Sequence, residues 1–121
     1  MKYGKLCCTV VCLVAAFTPV ESAEQTVKVG DVPWSLCICP LTEQIFCANA
    51  ASDDITVIDA RTSRVVQALA AGDGPVRLYS FPNCDRLYCE NYGSDDVTVI
   101  DPLIPQVTGT APLRYHLASA C

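Results

Sequence analysis

From Glu24 onward the apolar positions fall into short runs, each closed by a proline, a glycine or a cluster of Asn, Asp and Ser. Alternation places Val27 and Val29 on one face of a lead-in strand over 24–29. Pro33 to Cys39 reads as a strand that opens on a proline, where the missing N–H costs little, and Pro40 ends it. After a turn over 41–44, Ile45 to Asn49 is apolar on both faces and predicts a strand buried on both sides. Asn49 to Asp54 carries no large apolar side chain and predicts a hairpin loop. Ile55 to Asp59 is β-branched up to its terminal Asp, and Arg64 to Leu69 supplies a more polar fourth strand.

The same order then returns. Asp53-Asp54-Ile55-Thr56-Val57-Ile58-Asp59 recurs as Asp95-Asp96-Val97-Thr98-Val99-Ile100-Asp101, an offset of 42 residues (95 − 53). At that offset Gly30 to Asp59 matches Gly72 to Asp101 without a gap, with 14 identities in 30 positions. The pattern predicts further strands over 76–81, 86–91 and 97–101, with turns at Pro82-Asn83-Cys84-Asp85 and Tyr92-Gly93-Ser94. Beyond Asp101 the likeness fades: Gln106 to Thr110 reads as a frayed edge strand, and 111–121 as a poorly ordered tail.

A period near 40 residues with four short strands per unit is the signature of a β-propeller blade or a related β array. The expected fold is therefore all-β, with about two blades of four antiparallel strands forming an incomplete propeller, residues 30–71 and 72–110 being the two units. Propellers have about four to eight blades, and arrays need about three repeats because one blade cannot bury its own faces. Two units imply either a piece of a longer propeller or a half-assembly that associates through its exposed blade faces.

Composition adds location and removes some functions. Met1-Lys2-Tyr3-Gly4-Lys5, an apolar run from Leu6 to Phe17 and a polar stretch to Ala23 give the charged, apolar, polar order of a secretory signal over 1–23, with cleavage after Ser22 or Ala23. The run is 12 residues long (17 − 6 + 1), short of the roughly 20 that span a bilayer. With 8 Lys and Arg against 13 Asp and Glu the chain is acidic and shows no basic patch, which disfavours nucleic acid.

Loss of the leader removes Cys7, Cys8 and Cys12 and leaves Cys37, Cys39, Cys47, Cys84, Cys89 and Cys121. An even number in an exported chain permits disulfides, while the strand positions of Cys37, Cys39, Cys47 and Cys89 also suit small buried thiols. Structural zinc is disfavoured because C-x-x-C pairs are lacking and His116 is the only histidine. That histidine lies in the tail, so neither a nucleophilic triad nor C-x-x-C-H haem attachment is supported. Asp53-Asp54 and Asp95-Asp96 have the oxygens for calcium without its loop spacing, and read as solvated turn carboxylates. Trp34 stands where Val76 stands in the second unit, which points to packing over ligand display.

Phe46-Cys47-Ala48-Asn49 and Tyr88-Cys89-Glu90-Asn91 resemble the Tyr-Val-x-Asn core of YVTN-type β-propeller repeats. The flanks agree: Gly-x-x-Pro at Gly30/Pro33 and Gly72/Pro75, turn prolines at Pro40 and Pro82, and Ser-x-x-Val-x-Val-Ile-Asp at Ser94 to Asp101 and, with Ile55 for the first Val, at Ser52 to Asp59. The resemblance covers about residues 27 to 110, and departs in placing Cys47 and Cys89 where the family usually has valine. It implies an exported or cell-surface propeller used as a binding or scaffolding module, with protein or surface ligands. The alternative is part of a propeller enzyme or redox-associated subunit whose active residues lie outside this chain. No catalytic, cofactor or metal residue is assigned, and the recurring Asn49, Asp59, Asn91 and Asp101 read as turn or blade-to-blade hydrogen bonds.

Overall fold

A computed structural model describes residues 9–13, 24–80 and 84–113. Most of the expected leader, the Pro82-Asn83 turn, and 114–121 with His116 and Cys121 lie outside the described residues. Every element within them is a β-strand: β1 Thr9–Leu13, β2 Glu24–Lys28, β3 Pro33–Cys39, β4 Gln44–Asn49, β5 Asp54–Asp59, β6 Arg64–Ala70, β7 Pro75–Ser80, β8 Leu87–Asn91, β9 Asp96–Asp101 and β10 Gln106–Pro112.

The strands form two four-stranded antiparallel meanders, β3-β4-β5-β6 and β7-β8-β9-β10, as expected for two blades. Their inner edges stack, with β7 against β3 and β4. Alternation decides which residues meet there. Phe46, Ala48, Ile55, Val57 and Leu69 of the first blade face Leu78, Leu87, Cys89 and Ile100 of the second in one buried cluster. These side chains, five on the first sheet and four on the second, account for the cohesion of the pair, since burying each of the larger ones contributes on the order of 2 kcal/mol.

Two stretches depart from expectation. β10 runs through Pro112 and pairs with β9 from Gln106↔Asp101 to Pro112↔Asp96, so it is a full outer strand with one bulge between Val107 and Gly109. Glycine 109 and the fading repeat disguise it, whereas the backbone ladder needs no apolar pattern. Second, Thr9–Leu13 within the expected leader forms a strand antiparallel to β2.

That small hairpin has a counterpart in each blade. Residues 24–28 lie 42 positions before 66–70, the body of β6, and Val27 takes the place of Leu69; both are buried. Val27 and Val29 pack on Ile45, Cys47 and Ile58, as Leu69 and Ala71 pack with Leu87, Cys89 and Ile100. The pairing Val10↔Val27 likewise repeats Ile55↔Leu69. β1 and β2 therefore sit where the outer hairpin of a preceding blade would sit.

Candidate functional site

No catalytic or metal residue was expected, so the candidate sites are the places where recurring polar residues converge and where blade faces stay open. Asn49 is fully buried at the end of β4. Its Nδ2 donates to Asp54 Oδ1 at 2.8 Å and to Thr56 Oγ1 at 2.9 Å, and Ser52 Oγ donates to the same carboxylate oxygen at 2.8 Å. The second blade repeats this: Asn91 Nδ2 reaches Asp96 Oδ1 and Thr98 Oγ1, each at 2.8 Å, and Ser94 Oγ reaches Asp96 Oδ1 at 2.7 Å. Ser52 and Ser94 also accept the amides of Asp31 and Asp73. A Cβ on Gly30 or Gly72 would lie within 2.6 Å of the Ser52 or Ser94 hydroxyl, which is why each opening turn begins with glycine.

Asp59 and Asp101 close local turns, each accepting through Oδ1 the amide two residues on, from Arg61 at 2.8 Å and Leu103 at 3.0 Å. Asp53 makes one of the hydrogen bonds between the units, its Oδ1 accepting the Gly74 amide at 2.9 Å, beside Leu78 N donating to Ser35 Oγ at 3.2 Å and Gln67 Nε2 donating to Pro105 O at 3.1 Å. Three of the four aspartates in the acidic pairs are thus not free turn carboxylates, because Asp54 and Asp96 are held by the asparagine networks and Asp53 by the next blade. Sequence alone shows the recurrence of these aspartates but not the direction of their side chains. Among the described residues, no three His, Cys, Asp or Glu side chains form a group able to hold a metal ion.

Cys37, Cys39, Cys47, Cys84 and Cys89 carry free thiols. Burial, with Asp54 nearby, pushes the Cys47 thiol up to about 12, and burial with Glu90 and Asp96 does the same to Cys89. Both stay protonated and unreactive, donating weakly to Asn49 and Asn91 Oδ1 at 3.5 and 3.8 Å.

The two outer faces are the larger features. On the first blade Trp34, Leu36 and Ile38 line one side of edge strand β3 and are 65%, 50% and 61% exposed. Trp34 therefore does not pack as its sequence position suggested: among the described residues no blade lies over the inner edge of the face that carries it. Leu78, the repeat equivalent of Leu36, is 9% exposed because the first blade covers it. The outer face of the second blade is of different character. Arg77 and Glu90 are register partners where the first blade has Ser35 and Ala48, and Tyr79 and Tyr88 stand where it has Cys37 and Phe46. Arg77 Nη1 donates to Tyr79 Oη at 3.4 Å, and buried Glu90 leaves Oε1 without a partner.

No family model matches the chain, and no curated protein matches it. Solved structures do. The chain is similar to Kuenenia stuttgartiensis hydrazine synthase (TM-score 0.68, 21% identity over 74% of this chain and 26% of that one). It is also similar to AztD from Citrobacter koseri, in the apo form and in a second structure (each TM-score 0.65, 13% identity over 79% of this chain and 28% of that one). The chain thus spans little more than a quarter of the length of these proteins, and the likeness is one of fold: all-β, propeller-like, with two four-stranded blades.

Proposed function

We propose that this chain is part of an exported YVTN-type propeller that acts as a binding or scaffolding module, and that its two blades function only with further blades stacked on their open faces. The observation that carries this reading is the contrast between Leu36 and Leu78, one position of the repeat that is half exposed where no blade covers it and buried where one does. The β1–β2 hairpin supports it by lying where the outer strands of a preceding blade belong, over the outer half of the same face. The recurring polar side chains Asn49, Asp59, Asn91 and Asp101 and their neighbours are engaged in turns and in contacts between the blades, which supports a structural use of the repeat motif. Ligand contacts then belong to the surface of the assembled propeller, with further blades covering both the Trp34, Leu36 and Ile38 face and the Arg77, Tyr79, Tyr88 and Glu90 face.

The test is Leu36→Glu, which places a charge on the uncovered face without touching the interface between the two blades. The reading predicts that the substitution abolishes association of the chain while leaving its strand content unchanged. Equal association of the variant and the parent would refute it. Export is tested separately by sequencing the N-terminus of secreted protein, expected to begin at Ala23 or Glu24. Cleavage there removes β1 and leaves β2 an unpaired edge, which a neighbouring strand would then complete. If restoring further blades brought turnover rather than binding, the enzyme-subunit alternative would take its place.

A further inference from the structure

The stretch that leads into the second blade grips Asp53 twice: the Asp53 carbonyl accepts the Ala71 amide at 3.1 Å, and Oδ1 accepts the Gly74 amide at 2.9 Å. Residues 29–32 repeat 71–74 (71 − 29 = 42) and are built alike. Asp31 donates to Ser52 Oγ as Asp73 does to Ser94 Oγ, and Val32 and Asp31 accept the amides of Ala50 and Ala51 as Gly74 and Asp73 accept those of Tyr92 and Gly93. Val32 also holds the left-handed backbone of Gly74, which a β-branched side chain makes unfavourable. The clamp is thus formed before anything fills it. No aspartate precedes Asp31 in the chain, and among the described residues the Val32 amide has no acceptor. On the second blade Asp95 repeats Asp53 (95 − 53 = 42) with the same left-handed backbone. Its carbonyl accepts the Leu113 amide at 2.9 Å, as that of Asp53 accepts Ala71, but its carboxylate has no partner among the described residues.

We propose that these two halves meet: the open face of the first blade takes the second blade of another copy of this chain, head to tail, and Asp95 of that copy fills the clamp by accepting the Val32 amide. This pairing rests on the reading that further blades cover both open faces and that the leader is removed, and it gives the cover an identity. It continues a joint that the chain already contains, in which Asp53 and Gly74 play these parts. A second contact of that joint has its counterpart too. Within the chain Ser35 Oγ accepts the Leu78 amide at 3.2 Å. On the open face of the second blade Arg77 stands in the place of Ser35 and offers no lone pair, but its register partner Glu90 carries a buried oxygen, Oε1, without a partner. Glu90 is therefore the acceptor for the Leu36 amide of the next copy, Leu36 being the repeat equivalent of Leu78 (78 − 36 = 42).

The acceptors lie on the second blade and the donors on the first, so the joint cannot form by one patch meeting itself and is heterologous. Such joints close into rings where the rotation allows, and about four to eight blades at two per copy make about two to four copies. The outer strands settle which segment lies over the outer half of the face. β2 and the body of β10 are repeat equivalents (108 − 24 = 84), so only one of them fits there. β10 is exposed along its whole length, whereas Val27 of β2 is buried with Cys47 and Ile58. β2 therefore keeps the place and pairs with β9 of the second copy, once β1 has left with the leader.

The experiment compares the chain as export leaves it, from Glu24 onward, with its Asp95→Gly and Leu36→Glu variants by light scattering over a range of concentrations. Glycine keeps the left-handed backbone at position 95 and removes only the carboxylate. Asp95→Gly should weaken association about tenfold or more, the effect of losing a charged acceptor. Mixing the two variants, at a concentration where each alone is monomeric, should give a species of two chains and no larger, because one has a sound first blade and the other a sound second blade. If Leu36→Glu associates like the parent, the reading that blades cover this face fails, and the joint with it. If Leu36→Glu loses association while Asp95→Gly keeps it, or the mixture is no heavier than its parts, that reading stands and the head-to-tail joint is overturned. A parent that stays monomeric at every concentration overturns the second copy as the occupant. Residue-resolved amide exchange on the parent decides the contact whether or not the variants fold: the Val32 amide should slow as the mass rises, and an unchanged rate would contradict the joint.

Discussion

Val32 and Gly74 occupy the same place in the two repeats and share a left-handed backbone, at φ 55° and 66°, yet only one of them is glycine. Their carbonyls do the same work, Val32 O accepting the Ala50 amide at 2.8 Å and Gly74 O that of Tyr92 at 2.9 Å. A β-branched residue in this region costs about 1–2 kcal/mol, and glycine gives back part of that through the freedom of the unfolded chain. Val32→Gly should therefore raise stability by about 1 kcal/mol, and Gly74→Val should lower it by about 1–2 kcal/mol. Urea unfolding midpoints of the two variants check both signs.

The asparagine networks make a second, harsher forecast. Asn49→Ala removes two donors at once and leaves the Thr56 hydroxyl and the half-buried Asp54 carboxylate short of partners. The expected loss is about 2–3 kcal/mol, the cost of stranding buried polar groups. Asn91→Ala should cost about as much, because Asp96 and Thr98 stand in the same relation to it. Chemical denaturation followed by circular dichroism measures each loss; an unchanged midpoint in either would show that the network contributes nothing.

The buried thiols predict an alkaline limit. Cys47 and Cys89 have ordinary values near 9.0 when unfolded and are pushed up to about 12 when folded. Between those values the folded chain keeps two protons that the unfolded chain has lost, so their contribution is fully present below pH 9 and disappears as pH rises toward 12. The loss approaches about 1.4 kcal/mol per pH unit for each thiol. Cys47→Val and Cys89→Val together should flatten stability against pH over that window while leaving neutral stability nearly unchanged, as a swap of similar size does. A double variant whose alkaline curve runs parallel to the parent's would refute the assignment.

How much of this was legible in the sequence follows from what each feature depends on. The strands of both blades were readable because burial on alternating or both faces writes itself into Ile45 to Asn49 and Ile55 to Asp59, and because the second copy confirms the first. The identity of Asn49 and Asn91 as recurring residues was visible, but their partners depend on side-chain direction, which recurrence does not encode. Trp34 was misplaced for a physical reason: its alternation is that of a buried strand, and the blade that would bury it is not among the described residues. The Asp53–Gly74 link was invisible, since it arises from stacking turns of different units, and no linear spacing marks it. The β1–β2 hairpin was hidden because its apolar strand also serves the pattern of a leader.

The central claim is that two blades with open faces are not self-sufficient, because exposed apolar faces of this kind are covered in a stable soluble protein. Light scattering on the chain from Glu24 onward over a range of concentrations, with amide exchange on the same samples, tests it most directly. The account predicts a molar mass that rises with concentration, and amides of β3 that exchange fast in the dilute sample and slow as the mass rises. A constant monomer mass with β3 as well protected as β7 at every concentration would contradict it.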